Sequence, residues 1–329
     1  MPSVSVIIPV SRARDYVAAT VSSLLKQTLD DLELVFVDGD GSDGSISLIH
    51  EITDSYSGPK KIVFTGDGKD DGPGVARNKG IDAATGDFIT FTDSDDIVDP
   101  EYCQSLLDVA LSCGADLAYC NICMDRTDSG KGRIKANPPV TGGPFLDSER
   151  RRFLVNFVSY FSTFLYRRSF LLENGIRFPH TRSSEDSAFL TSCLLSATAI
   201  VGVNKPLYHY IQRPYTLSNK IDPERYLQRI ESFDWLLSSV KQRGIYPAYK
   251  QEIDFIYIKK AFLMACQTYA RNVSRPDPAV FRQLCGMLDQ AIPGNRTNSY
   301  LTRNIKFRFA TWLVRRHPRL ACRLLKIIR

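Results

Sequence analysis

The chain has 329 residues, 43% hydrophobic and 24% charged, with a formal net charge of +6, an ordinary soluble composition with room for one large or two smaller domains. No apolar run approaches the roughly 18 residues that a membrane-spanning helix needs, and MPSVSVIIPV lacks the basic-then-apolar order of a secretory signal, so a cytoplasmic chain is expected. The charge is uneven: beyond Asp289 stand ten Lys or Arg and no acid, so a body of net −4 carries a tail of +10.

In chain order, VSVIIPV (Val4 to Val10) is an apolar run of strand length, and DYVAATVSSLLKQT (Asp15 to Thr28) places Val17, Thr20, Val21, Leu24 and Leu25 at helical spacing. LELVFVD reads as a second buried strand, Ser42 or Asp43 can cap a helix through ISLIHEI, and KKIVFT is a third strand. A helix from about Gly74 to Ala84 follows, then the strand DFITFTD, then a helix opening at Asp99-Pro100, where proline suits the first turn. Strands buried on both faces and alternating with helices predict an α/β fold with a mostly parallel sheet. DLAYCNICM holds Cys120 and Cys123 as C-x-x-C. Strand alternation puts the two thiols on opposite faces, and with no second pair or neighbouring histidine they read as small buried hydrophobes.

Ligands of parallel sheets collect beyond the carboxyl ends of the strands. Pro9-Val10, Asp38-Gly39-Asp40 and Asp93-Ser94-Asp95-Asp96 fall there, so acidic groups distant in sequence are expected on one rim. Crowded carboxylates are costly unless a cation neutralises them, and two of them with water and phosphate oxygens suit Mg²⁺ or Mn²⁺; a solvated turn capping the next helix is the plainer alternative. GPGVARNKGI (Gly72 to Ile81) is a glycine-flanked turn entering a helix. There the backbone can approach a ligand and Arg77 can fork onto phosphate oxygens or a base edge, the alternative being a helix cap with a surface arginine.

Together, VSVIIPV, VFVDGDGSDGS, GPGVARNKGI, FITFTDSDD, FLYRRSFLLENGIRFP, RSSEDSAF and PLYHYIQRPYTLS resemble, in order and spacing over about residues 2 to 218, the family 2 glycosyltransferases, inverting enzymes of GT-A fold that include those of bacterial surface polysaccharides. The resemblance implies a Rossmann-like GT-A domain over 1–218, with a nucleotide-sugar-binding half at 1–125 and an acceptor and catalytic half at 126–218, followed by a mainly helical region at 219–329. It implies transfer of a hexosyl or N-acetylhexosaminyl group from a nucleoside diphosphate sugar, UDP-linked by default, to a hydroxyl of a lipid-linked glycan or polysaccharide. A divalent cation, Mn²⁺ or Mg²⁺, would stabilise the departing diphosphate.

By the same resemblance, Asp95 is the direct metal ligand, Asp93 contacts ribose or a metal-bound water, and Asp96 orients the loop or caps the next helix. Asp186 is the base that takes the hydroxyl proton and Glu185 positions it. Pro9, Val10, Asp38, Asp40, Arg77, Ser94 and Arg213 line the donor, with Arg213 and Ser218 reaching diphosphate oxygens. His209, between tyrosines, reads as packing rather than as a third metal ligand. Glu185 and Asp186 equally suit the first turn of a helix that Ser183 or Ser184 caps. The family's usual aromatic and asparagine after the first strand are Ser11 and Arg12, and its D-D-G-S turn is D-G-D-G-S. Ungapped, Gly39 falls where the base-reading aspartate is expected; one residue of slippage supplies Asp40.

A nucleotidyltransferase on a similar sheet has no use for the E-D helix and usually carries a stronger glycine-rich, lysine-containing phosphate loop; a noncatalytic nucleotide-sugar binder keeps the rim and loses the base. Beyond residue 220, amphipathic helical patterns dominate. PRLACRLLKIIR sets Leu320, Leu324, Ile327 and Ile328 on one face, with Arg319, Arg323, Lys326 and Arg329 away from it. That pattern suits an anionic membrane surface or docking on the protein itself, and no nucleic-acid partner is expected because recognition motifs are absent.

Overall fold

The apolar runs become strands with helices between them in a computed structural model that describes residues 2–126, 132–213, 222 and 224–327. In order come β1 (Val4–Ser11), α1 (Val17–Leu25), β2 (Leu32–Asp40), α2 (Ser45–Asp54), β3 (Lys61–Gly66), α3 (Pro73–Ala83) and β4 (Phe88–Phe91), with the four strands parallel to one another. They are followed by β5 (Ile97–Val98), α4 (Tyr102–Ser112), β6 (Leu117–Arg126), β7 (Arg133–Lys135), β8 (Gly143–Pro144) and α5 (Asp147–Asn156). Then come β9 (Phe164–Arg167), α6 (Arg168–Glu173), α7 (Glu185–Ser196) and β10 (Ala199–Gln212). The sheet runs β3-β2-β1-β4-β9-β6-β10-β5, with β7 beside β6 and β8 beside β10. β6 and β10 are again parallel, but β9 lies antiparallel between β4 and β6, where the two parallel halves meet.

Three boundaries depart from expectation. α1 opens at Val17, and α4 opens at Tyr102 because the Asp99 carbonyl accepts from Tyr102 N (3.0 Å) and makes a turn of Asp99-Pro100. β2 continues two residues past Asp38, since Val10 pairs with Asp38 and Ser11 with Asp40, leaving Gly39 as the extra residue of a bulge. Pro9 is tolerated in a central strand because the β1–β4 ladder ends at Ile7–Phe91, so no bond is lost to its missing donor.

Glu33, fully buried near the start of β2, ties the strand ends opposite the rim. It accepts from Ser5 Oγ (2.5 Å), Lys61 Nζ (2.7 Å) and Thr85 N and Oγ1 (both 2.8 Å). Burial alone would raise its carboxyl, but these bonds outweigh it and bring the pKa down to about 2. One face of the sheet buries Val4, Val6, Ile8 and Val10 with α1 and α4 residues. An aromatic group of Phe91, Phe161, Tyr166, Phe178 and Phe189 also forms, Phe178 and Phe189 stacking at 3.8 Å.

The chain divides into two compact units. The first holds the described residues of 1–180 and 189–216, the second those of 181–188 and 217–329. The second unit is helical. α8 (Arg225–Gln242) buries Ile230, Phe233, Leu237 and Val240 at helical spacing, and α9 (Lys250–Ile256) passes through a π-helical stretch, Tyr257–Leu263, into α10 (Met264–Asn272). α11 (Pro278–Ala291), α12 (Ser299–Arg303) and α13 (Ile305–Arg316) are capped by Asp277, Asn298 and Asn304, and α14 (Pro318–Ile327) ends the described chain. Among the described residues no helix is long and apolar enough to cross a membrane.

Candidate functional site

The rim is built where β1, β2 and β4 end. β1 lies between β2 and β4, so the ends of the outer two strands stand about 10 Å apart across the sheet. On β2, Asp38 Oδ1 accepts from Gly41 N (2.9 Å). Gly66, at φ +99°, presses its backbone against Asp38, where a Cβ would meet Asp38 O at 2.4 Å. Asp40 is buried, and its Oδ2 accepts from Arg12 Nε at 2.6 Å while Oδ1 accepts from Ser42 Oγ at 2.6 Å. Those bonds, Ser42 first and Arg12 next, lower its pKa. The Arg12 side chain stays two-thirds exposed and its φ is +49°, an unfavourable conformation for a non-glycine residue. Asp43 accepts from Ser45 N (3.0 Å) and Arg14 N (2.9 Å), so it secures the start of α2 as expected, although Gly44 holds the cap position.

The loop after β4 is pinned from several directions. Thr20 of α1 donates to the carbonyls of Ser94 (3.0 Å) and Asp96 (2.8 Å), and Asp93 N donates to Tyr208 Oη (3.2 Å). Tyr208 donates in turn to Asp96 Oδ2 (2.8 Å), and Ile211 N to Asp96 Oδ1 (3.0 Å). Asp96 therefore orients the loop against β10 and does not cap α4. Burial, then Asp93 and Asp95, push its pKa well up. Asp95 is raised to about 6 by burial and by Asp93, against the pull of Arg213. Arg213 reaches Asp95 Oδ2 at 3.5 Å, bonds its carbonyl, and lies 4.3 Å over the Tyr16 ring.

Arg77 is no surface arginine. It is buried, its Nη2 donates to Asp93 Oδ1 (2.9 Å), and its guanidinium sits 4.3 Å over Phe161. α3 can come this close to the sheet because Gly80 has no side chain; a Cβ there would meet Ile7 Cγ2 at 2.3 Å. Val10, expected to line the donor, is fully buried, main chain included, and offers a ligand no exposed surface. Asp93 and Asp95, each facing one arginine, are the two hard-oxygen donors of this loop that fit a divalent cation, both oxygens of Asp96 being taken by Tyr208 and Ile211 N.

His209 belongs to a different cluster. Its Nδ1 is 2.6 Å from Asp125 Oδ2 and its Nε2 3.2 Å from Asp99 Oδ1, and Cys123 Sγ donates to Asp125 Oδ1 (3.0 Å). Along the chain no histidine stands near Cys123; the β6–β10 pairing places one directly beside it, from 86 positions away, and brings Cys123, Asp125 and His209 together. Cys120 and Cys123 do face opposite sides, Cys120 buried and Cys123 half-buried.

Glu185 and Asp186 open α7 within the second unit. Ser184, before them, has φ +67°, the other non-glycine residue at positive φ among those described, and accepts from Arg229 Nη1 (2.5 Å). Glu185 is buried and Asp186 half-buried, its Oδ1 accepting from Ser187 N (2.6 Å). Burial lowers Arg229 to about 10 against the pull of Asp186 and Glu185. Lys260, buried in the π-helical stretch, is pushed well down by burial and by Lys259, with Asp186 opposing. Arg229 and Lys260 were not foreseen, because helix patterns give no sign of which polar residue turns inward. Ser218 lies outside the described residues.

A rim of carboxylates and arginines at the ends of parallel strands, on a mixed α/β sheet with a helical C-terminal part, defines the GT-A class of transferases. Residues 5–175 match the family model for glycosyl transferase family 2, and the chain belongs to that family. It is 27% identical over 272 residues to the putative glycosyltransferase EpsH of Bacillus subtilis (strain 168), covering 80% of this chain and 76% of that protein. It is 26% identical over 271 residues to a poly(ribitol-phosphate) beta-glucosyltransferase of Bacillus spizizenii, covering 79% of this chain and 40% of that protein. The structure of S. aureus TarS 1-349 in complex with UDP-GlcNAc shares the fold, with a TM-score of 0.68 at 20% identity over 99% of this chain and 90% of that one.

Proposed function

We propose that the chain is an inverting, divalent-cation-dependent transferase that moves a hexosyl or N-acetylhexosaminyl group from a UDP-sugar to a hydroxyl of a glycan or lipid-linked acceptor in surface-polysaccharide assembly. The observation that carries this is the pair of acidic strand ends on β2 and β4 separated by β1: their span of about 10 Å suits a nucleoside at one end and a diphosphate at the other. Asp38 and Asp40 hold the nucleoside, with the exposed Arg12 beside Asp40. Asp95 and Asp93 are the residues that hold Mn²⁺ or Mg²⁺, which when bound offsets the negative charge of the departing diphosphate. Arg213 and the Ser94 backbone steady the diphosphate, and Arg77, by fixing Asp93, sets that carboxylate's direction.

Asp186 is assigned, by its place in the family motif, the role of taking the acceptor's proton, and Glu185 that of fixing the helix start around it. A donor carrying a diphosphate does not cross a bilayer unaided, so the work is placed in the cytoplasm where such donors are made. Full-length chain is to be screened by thermal shift with UDP-, GDP- and dTDP-sugars with and without Mn²⁺; a UDP-sugar raising Tm only with the metal is expected. Asp95→Ala should abolish that metal-dependent rise, and Asp186→Ala should keep it while lowering transfer at least about a hundredfold. Unchanged transfer by Asp186→Ala would remove the base, and binding without any turnover in the parent chain would favour a noncatalytic binder.

A further inference from the structure

The last two helices carry apolar side chains outward. On α13, Ile305, Phe309 and Trp312 follow one another at i, i+4 and i+7 and are 73%, 54% and 47% exposed, while Thr311, Leu313 and Val314 point into the unit. Arg316 continues the stripe at i+11, and Lys306 and Arg308 flank it. Phe309 and Trp312 stack at 5.6 Å, and Trp312 meets His317 edge-on at 4.9 Å, so the aromatic group is pre-ordered. α14 adds exposed Leu320 and Leu324 with Arg319 and Arg323, while Ala321, Cys322 and Leu325 are buried. Of the apolar face expected for this helix, Leu320 and Leu324 are thus exposed, and the covered face is the one that carries Ala321, Cys322 and Leu325. The side chains of Lys326, Ile327, Ile328 and Arg329 lie outside the described residues.

Between α11, α13 and α14 an open groove of about 500 Å³ is lined by Arg282, Arg316, His317 and Arg319. Its acid, Asp277, is engaged at the start of α11 by Ala279 N (2.8 Å). No acidic residue follows Asp289 to oppose these cations, and Asp289 itself is held by Arg315 at 2.7 and 2.9 Å.

We propose that this surface seats the protein on an anionic phospholipid bilayer. Ile305, Phe309, Trp312, Leu320 and Leu324 enter the boundary between headgroups and acyl chains, and the arginines of the groove receive lipid phosphates. Charge complementarity selects the occupant. A soluble polyanion would match the arginines but gives no reason to expose a Phe–Trp pair, and a second copy docking by the same face would bring ten more cations against the ten already there. Aromatic side chains flanked by Lys and Arg are the composition of an interfacial helix face. The proposal is independent of donor, acceptor and metal.

The test uses full-length chain sedimented with vesicles of phosphatidylcholine alone or enriched in phosphatidylglycerol, in a Trp235→Phe background that leaves Trp312 as the reporter. Binding to the anionic vesicles alone, weakened by salt, with a blue shift of Trp312 emission, is expected. Phe309→Ser with Trp312→Ser, and separately Arg316→Glu with Arg319→Glu, should each lower vesicle affinity about tenfold or more with unfolding midpoints within a few degrees of the parent. Absent binding, equal binding by folded variants, or a concentration-dependent Trp312 shift without vesicles marking self-association would each overturn the proposal. So would a shift produced by soluble poly(ribitol phosphate) but not by vesicles.

Discussion

Asp40 shows how a bulge can move a carboxylate along a strand end. The bulge at Gly39 advances the chain by one residue, so Asp40 rather than Gly39 pairs with Ser11, and Arg12 closes onto it. Asp40→Ala is therefore expected to lower nucleotide affinity about tenfold, and Asp38→Ala at least as much, by calorimetric titration. Unchanged affinity in Asp40→Ala would confine nucleoside recognition to Asp38. The replacement of the family's asparagine by Arg12 was legible as a departure, but its pairing with Asp40 was not, because that depends on the register of two strands. Lys260 was not legible at all, since a lysine inside an amphipathic pattern reads as surface. Its pKa is depressed, so the buried charge costs stability in full below the folded value, and the cost is relieved as pH rises from there to 10.5. Lys260→Met should match or exceed the parent in Tm at pH 7, with the gap closing toward pH 10.5, while transfer falls as Asp186 loses a nearby cation.

At the scale of elements, the parallel strands were legible because burial on both faces leaves unbroken apolar runs such as Val4 to Val10. The antiparallel direction of β9 was not, since alternation carries no sense of direction, and β5 and β8, two residues each, carry no pattern. The rim was legible because strand ends are marked by where apolar runs stop at Asp38 and Asp93. What makes the rim rigid was not, for it rests on β10 delivering Tyr208 to Asp96 across 112 positions. At the opposite strand ends Glu33 joins β1, β2, β3 and the turn before β4, and its removal strands Ser5 and Thr85. Glu33→Ala is expected to cost about 3 kcal/mol at pH 7, a figure reduced by the half-exposed Lys61 end of the network. With a folded pKa of about 2 against an ordinary 4.5, the contribution is whole above pH 4.5 and lost as pH falls through 2. Urea melts should show the deficit shrinking between pH 5 and pH 2.5; a deficit constant over that range would mean that packing, not the carboxylate, is what Glu33 supplies.

For the whole molecule, the basic tail is both a surface and part of a core. Read as sequence, its cations and leucines suit a membrane surface and docking on the body equally, because charge and periodicity do not reveal which face a helix buries. In the second unit α14 packs on α10, α11 and α13, and Ala321, Cys322 and Leu325 of α14 are buried, as are Ala265, Cys266 and Ala270 of α10 and Phe281, Leu284 and Leu288 of α11. α13 contributes Leu313 and Val314, and Arg315 closes the unit by forking onto Asp289, whose pKa it holds at about 2. Burying an aliphatic side chain of this size is worth about 1.5–3 kcal/mol, so the buried residues of the two helices together amount to much of a typical unfolding free energy of about 5–15 kcal/mol. Deleting residues 303–329 should therefore unfold the second unit and expose α10 and α11, giving an aggregating chain whose loss of vesicle binding would be uninformative. Phe309→Ser and Trp312→Ser remove only exposed rings and should move Tm by no more than a few degrees. Calorimetric melts of the deletion and of the double substitution decide this: if the deletion melts like the parent, α13 and α14 are an appendage, and their buried faces hold no part of the fold.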